Sequence, residues 1–166
     1  EKEEMVKYKR YQALIDAAQG GRLDDLQGLL KHSVIDVNAV PRTHDAPALC
    51  YAAEEGHIDV MAELVGAGAD VDKVGVRGDF KGKTPLMRAV YLNKVDAVRW
   101  LLDHGADWRK TDGDGDTALS RAAVRDRQAE AAKVLRAWVE RQGTTAEKEE
   151  MRADDLVTAA ERGRLE

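Results

Sequence analysis

The stretch that decides the fold is Gly82-Lys83-Thr84-Pro85-Leu86-Met87-Arg88-Ala89-Val90, in the middle of a 166-residue chain. Gly82 predicts a tight turn, because glycine adopts left-handed backbone conformations at little steric cost. Thr84 and Pro85 predict a helix start, since a threonine hydroxyl caps free amides and proline is tolerated at the first helical position. Apolar residues at helical spacing over 95–102 predict a second helix, which Gly105 ends. The stretch therefore opens a helix-turn-helix unit.

This unit recurs along the chain with a nearly constant period. The equivalent leucines are Leu14, Leu49, Leu86, Leu119 and Leu156, which are separated by 35, 37, 33 and 37 residues. A period in this range indicates a stack of small supersecondary units, none of which buries its apolar face alone. The chain is therefore a repeat scaffold, and its function depends on the surface that the scaffold presents.

The repeat resembles that of the ankyrin repeat family. Thr84-Pro85-Leu86-Met87-Arg88-Ala89 stands where that family has its TPLH-x-A signature, and Gly68-Ala69-Asp70-Val71-Asp72 matches its repeat ending. The signature histidine is replaced by Ile15, Cys50, Met87 and Ser120 in successive copies. The resemblance implies an all-α repeat fold, an ankyrin-type solenoid of stacked helix-turn-helix units with β-hairpin-like connections.

The period divides the chain into a repeat domain and a C-terminal remainder. We expect a domain over 1–142 with repeats at 8–40, 41–75, 79–110 and 112–142. Residues 143–166 are predicted to form a linker and the first helix of a further, truncated repeat. Glu1-Lys2-Glu3-Glu4-Met5 recurs as Glu147-Lys148-Glu149-Glu150-Met151, which indicates that a whole module starts again and that the chain is a fragment. The segment 152–166 is expected either to fray or to cap repeat four with Leu156, Val157 and Ala160.

Composition excludes several classes of function. The chain has 26 basic and 31 acidic residues, a formal charge of −5, so no overall field attracts nucleic acid. No apolar run approaches the roughly 20 residues that cross a bilayer. The single cysteine, Cys50, cannot form an internal disulfide and is expected to pack as a small apolar side chain. These features predict a cytoplasmic protein, with a nuclear location as the alternative.

Three motifs that suggest ligands are rejected on spacing. Residues 78–84 resemble a phosphate-binding loop but have one residue too few between the glycines, and a helix cap explains Gly82 and Thr84. Asp112, Asp114 and Asp116 alternate as in a calcium loop, but the closing acidic position holds Ala123. Residues 77–79 spell an adhesion tripeptide, which is best read as accidental. With dispersed histidines and no nucleophile–base pair, we expect no metal, no cofactor and no enzymatic activity.

The resemblance implies that partners meet the hairpin tips and the exposed face of the first helices. Mapped onto this chain, that face predicts a partner-binding set of Tyr51, Glu54, Glu55, Phe80, Lys81, Lys83, Arg88, Tyr91, Leu92, Arg121 and Arg125. Charge along it changes from acidic at Glu54 to basic at Arg121, around an aromatic centre of types enriched in interfaces. A solvated surface with scattered apolar residues is the alternative. The insertion at 73–80 forms either a protruding finger that contacts the partner or a disordered hairpin tip.

The leading interpretation is a non-enzymatic module that binds a protein or peptide through its concave face and hairpin tips. One alternative is a regulatory ankyrin segment of a larger enzyme or channel that docks on its own chain. Another is a structural spacer in a long array. Neither nucleic acid nor membrane is expected as a partner, whereas further repeats or domains of the same full-length chain are.

Overall fold

Paired helices make up most of the chain in a computed structural model, which describes residues 2–32, 35–126, 129–149 and 152–153. The helices are α1 (Lys2–Gln19), α2 (Leu23–His32), α3 (Ala48–Glu55), α4 (Ile58–Gly66), α5 (Pro85–Tyr91), α6 (Val95–Asp103), α7 (Ala118–Asp126) and α8 (Glu130–Gln142). A short 3-10 helix spans Gly78–Phe80. Within those ranges there is no extended strand, only one isolated bridge between Gly75 and Lys81.

The helices form two layers that run through the stack. The first helices contact one another in the order α1, α3, α5 and α7, and the second helices contact in the order α2, α4, α6 and α8. The repeated leucines Leu14, Leu49, Leu86 and Leu119 are buried between the layers, as are the small residues Ala18 and Ala53. The prediction of an all-α solenoid of stacked helix-turn-helix units is therefore confirmed.

The turn before α5 shows why the signature stretch folds as it does. Gly82 has φ 72°, a left-handed conformation that favours glycine. Thr84 Oγ1 accepts a hydrogen bond from Met87 N at 3.3 Å and so caps the helix that Pro85 begins. The predicted cap is confirmed, and it accounts for the residues that resemble a phosphate-binding loop.

Three of the four residues that replace the signature histidine make local polar contacts instead. Cys50 Sγ donates to Lys73 O at 3.4 Å, and Met87 Sδ accepts from Thr84 N at 3.5 Å. Ser120 Oγ accepts from Thr117 N at 2.9 Å. In the second, third and fourth repeats this position thus still ties the first helix to its own turn or to the loop that follows.

Polar side chains at the repeat endings join neighbouring units. Asn38 accepts from Asp70 N at 2.8 Å and donates to Gly68 O at 3.0 Å. One unit further on, Asp72 accepts from Asp107 N at 3.0 Å. Burial raises the pKa of Asp72, although this hydrogen bond and Lys110 act in the opposite direction. These bonds tie the ending of each repeat to the ending of the next and help to fix the spacing between repeats.

The structure differs from the sequence-based expectations at the first helix and at the insertion. Helix α1 begins at Lys2, six residues before the expected repeat boundary at residue 8, and residues 3–10 are exposed. The insertion does not protrude, because it folds back on repeat two. Val76 N and Arg77 N donate to Asp45 O at 2.7 and 3.2 Å, and the Arg77 guanidinium donates to Pro41 O and His44 O. Both the free finger and the disordered tip are therefore wrong, whereas contact between this segment and a partner stays a prediction.

The end of repeat four is tied to the residues that follow it. Helix α8 ends at Gln142, as expected, and residues 145–149 are again helical. Thr144 N donates to Glu147 Oε2 at 2.6 Å, which caps this new helix, and Glu147 also pairs with Arg109. The expected cap residues, Leu156, Val157 and Ala160, lie outside the described residues, so the assignment of 143–166 stays a prediction.

Candidate protein-binding surface

A buried cluster of aromatic rings and one ion pair lies between α3 and α5. The rings of Tyr51 and Phe80 are 4.6 Å apart between centroids, and the Arg88 guanidinium carbon lies 4.4 Å from the Phe80 centroid. Arg88 Nη2 donates to Glu54 Oε1 at 2.6 Å. The side chain of Arg88 is only 7% exposed and that of Glu54 20%. This cluster joins repeats two and three.

Three residues of the predicted partner-binding set therefore do not lie where the sequence placed them. Tyr51, Phe80 and Arg88 are buried, so the expectations of an exposed aromatic centre at Tyr51 and Phe80 and of an exposed basic residue at Arg88 are wrong. Repeat spacing assigns a residue to a helix face, but it does not show that a neighbouring repeat covers that face. Tyr51 instead accepts a hydrogen bond from Asp45 N at 3.2 Å, and burial raises the pKa of its hydroxyl.

At Arg88 and Arg121 the predicted change of charge along the first helices is also wrong, because local carboxylates neutralise both arginines. Arg88 is paired with Glu54. Arg121 pairs with Asp112 and lies 2.9 Å from Asp114 and 3.5 Å from Asp116. The side chain of Arg125 lies outside the described residues. Arg88 and Arg121 therefore do not contribute the predicted positive charge to the surface, and the contribution of Arg125 stays a prediction.

The acidic loop before α7 serves as a turn rather than as a cation site. Asp112 Oδ1 accepts from Asp114 N and Asp116 N at 2.9 and 3.1 Å. Burial opposes ionisation of Asp112, but the hydrogen bonds from Arg121 and these amides outweigh it and lower the pKa. In the part of the chain that the structure describes, no three His, Cys, Asp or Glu residues are grouped so as to hold a metal ion.

The other side chains that could react or bind a ligand are either engaged in hydrogen bonds or at least partly buried. The Cys50 thiol is fully buried, and desolvation raises its pKa well above the ordinary value, so it stays protonated and unreactive. Arg77 of the adhesion-like tripeptide is held by the carbonyls of Pro41 and His44. Trp108 is buried in the core, as expected, and Trp100 is partly buried and packs against the core.

The exposed residues are unevenly distributed over the helices of the stack. Of the predicted set, Glu55, Lys81 and Tyr91 are exposed, whereas Glu54, Lys83, Leu92 and Arg121 are partly buried. The exposed large apolar side chains among the described residues are Met5 (57%), Val6 (48%), Tyr8 (36%), Val76 (44%) and Tyr91 (41%). They lie on α1, on the insertion and on α5, and the described second helices α2, α4, α6 and α8 carry none of them.

Four of these residues were missed by the sequence reasoning. Met5, Val6 and Tyr8 lie before the first expected repeat, so a search based on the period passes over them. A helix-prone leader that carries apolar residues was the available signal. Val76 lies in the insertion, where no repeat position predicts whether a side chain is covered. No helix among the described residues has the length and apolar character to span a membrane.

Comparison with known proteins agrees with this architecture. The sequence matches the family model described as "Ankyrin repeats (3 copies)" over residues 49–141. It is 35% identical over 103 residues to human ankyrin repeat and SOCS box protein 6, an alignment that covers 58% of this chain and 24% of that protein.

Two further relatives align with parts of this chain. Human DNA-binding protein RFXANK is 31% identical over 103 residues, 57% of this chain and 38% of that protein. Rice potassium channel AKT1 (Oryza sativa subsp. indica) is 40% identical over 66 residues, 40% of this chain and 7% of the channel. The aligned part of the chain thus spans well under half of each relative's length. Stacked helix pairs, the signature turn and the family match together show that the chain belongs to the ankyrin repeat family, a non-enzymatic protein-interaction scaffold.

Proposed function

We propose that this chain binds a protein or peptide segment across the first helices and hairpin tips of its repeats. The observation that carries the proposal is the distribution of the exposed large apolar side chains, which lie on that side of the stack and not on the described second helices. Exposed apolar residues that cluster on one side are typical of interaction surfaces. A structural spacer with a solvated surface does not require exposed apolar side chains on one side of the stack.

In this proposal the predicted set divides into contacting and supporting residues. Tyr91 is the central contact, because it is 41% exposed and its ring lies 5.7 Å from the buried Arg88 guanidinium. Glu55, Lys81, Lys83 and Leu92 surround it and extend the contact area. Tyr51, Phe80, Arg88 and Glu54 act from beneath by holding α3 and α5 in register. Arg121 and Arg125 remain candidates at the far edge of the surface.

The test is an affinity measurement with a partner recovered by pull-down. We expect Tyr91→Ala to weaken binding by about tenfold or more, as for an aromatic residue at the centre of an interface. Arg99→Ala is the matched control, because Arg99 is exposed on the second helix α6. Loss of binding in the Arg99 variant with full binding in the Tyr91 variant would place the interface on the other side and refute the proposal.

A regulatory segment of a larger protein is the second candidate. It is favoured by the small share of each relative that the aligned repeats cover, 24% and 7% in two cases, one of them a potassium channel. Crosslinking within the full-length protein tests it: links from Lys81 or Lys83 to another domain of the same chain would support the regulatory segment. For both candidates we propose a cytoplasmic or nuclear location, supported by the single unpaired cysteine, Cys50.

A further inference from the structure

An excess of unpaired positive charge lies along the tips of the first three repeats, although the chain as a whole has a charge of −5. Lys9, Arg42 and Lys81 are exposed and Lys83 is half-buried. None of these four forms an ion pair with any described residue. Together with the exposed apolar side chains Met5, Tyr8 and Val76 they form what we term the basic tip ridge.

Hydrogen bonds join the parts of the ridge into one surface. Tyr8 of α1 donates to Thr43 Oγ1 in the tip of repeat two at 2.9 Å. Thr43 in turn donates to Gln12 Oε1 at 3.1 Å. Met5 and Lys9 are seven and three residues before Gln12, so they share its side of the helix. The protruding part of α1 therefore continues the surface of the second tip.

The second and third tips are joined in the same way. Arg77 donates to Pro41 O at 2.6 Å, which brings the insertion against the tip that carries Arg42. Gly75 N donates to Lys83 O at 3.1 Å, and Gly82 N donates to Gly75 O at 2.9 Å. Val76 thus lies one residue from the backbone ladder that holds Lys81 and Lys83. The ridge is continuous from α1 to the turn before α5.

The acidic residues near the ridge do not cancel its charge. Asp45 lies 3.8 Å from Arg77, and Asp16 lies 3.9 Å from His44 Nε2. Glu3 and Glu4 at the exposed start of α1 are matched in number by the exposed Lys7 and Arg10, and Asp79, exposed within the insertion, offsets one of the four free cations. A net positive charge therefore remains on a surface that also exposes Val76 at 44% and Tyr8 at 36%.

We infer that the basic tip ridge docks an acidic protein segment that also presents apolar side chains, an inference that rests on the proposed protein-binding function and names the chemistry of the partner. Carboxylates on the segment complement Arg42, Lys81 and Lys9, while apolar side chains cover Val76, Met5 and Tyr8. A protein segment fits better than nucleic acid, because apolar side chains interrupt the ridge and a phosphate backbone has no apolar groups to cover them.

Selection from a random peptide display library against the intact chain tests this inference. We expect the enriched peptides to combine several Asp or Glu residues with apolar ones. Synthetic versions should lose about tenfold or more in affinity for the R42E/K81E variant and about fivefold between low and moderate salt, measured by fluorescence anisotropy. R99E, a charge reversal on the second helix α6, is the matched control and should leave affinity within about twofold.

The outcomes separate this inference from the proposed function. Enriched peptides that lack acidic residues and are weakened by Tyr91→Ala, but not by R42E/K81E, would overturn the ridge and leave the proposed function standing. Failure to enrich any peptide would overturn both. Binding of a single-stranded 20-nucleotide DNA or of phosphatidylserine vesicles, lost in R42E/K81E while no peptide binds, would show that the partner class is wrong. Circular dichroism of R42E/K81E checks that the variant is folded.

Discussion

Removal of the Arg88 charge should lower the free energy of unfolding of the repeat stack. In the Arg88→Met variant the apolar stem is kept, but Glu54 loses its partner while its side chain is only 20% exposed. Breaking a buried ion pair from one side costs about 3–5 kcal/mol, and the partial exposure of Glu54 places our expectation at about 3 kcal/mol. The contact between the guanidinium and the Phe80 ring, 4.4 Å from the centroid, is lost as well.

Urea unfolding followed by circular dichroism measures this loss. The double variant R88M/E54Q should recover part of it, because no unpaired charge remains, with a coupling energy of about 1.5 kcal/mol or more. Arg99→Met, exposed on α6, is the control and should change the free energy of unfolding by less than about 0.5 kcal/mol. A loss below about 1 kcal/mol for Arg88→Met, with no coupling to Glu54, would refute the account of a buried pair that joins α3 to α5.

Three other perturbations have definite expected results. Gly82→Ala should lower the free energy of unfolding in urea by about 2 kcal/mol, because φ is 72° and the added Cβ would lie 2.8 Å from Gly113 N. Gly28→Ala is the control: it lies inside α2, an added Cβ would have no atom within 4 Å, and the free energy of unfolding should rise by up to about 1 kcal/mol. Arg109 lowers the pKa of Glu147 from 4.5 to about 2, so the contribution of this ion pair to the stability of the folded state is complete above pH 4.5 and is lost as pH falls through about 2. An NMR titration midpoint of Glu147 that stays near 2 in the Arg109→Gln variant would contradict this cause. Cys50 should react with a thiol reagent only on unfolding, and rapid modification of the folded protein would disprove its burial.

Local features of the sequence were sufficient to predict the helix boundaries of the central repeats. Thr84 and Pro85 predicted the start of α5, and Gly105 predicted the end of α6 at Asp103. These predictions succeed because caps and turns depend on a few adjacent residues. The length of α1 was missed, since the leader 1–5 carries no repeat signature.

The candidate surface was only partly predictable. Tyr91 and Lys81 are exposed where the repeat pattern placed them, but Phe80 and Arg88 are buried. Burial at these positions depends on Glu54 and Tyr51, which belong to the preceding repeat and come close only when the helices stack. Repeat spacing contains no information on such pairs.

The amino-acid sequence by itself determined the repeat period, the family and the class of function, because each is written in short local patterns that recur. Only the tertiary structure decided which side chains remain on the surface and which charges are left free. Glu54, which precedes Arg88 by 34 residues in the sequence, neutralises the charge of Arg88. Neither Arg42 nor Lys81 pairs with a carboxylate among the described residues. The exposure of a side chain and the net charge around it depend on residues of neighbouring repeats, and those residues come into contact only when the helices stack.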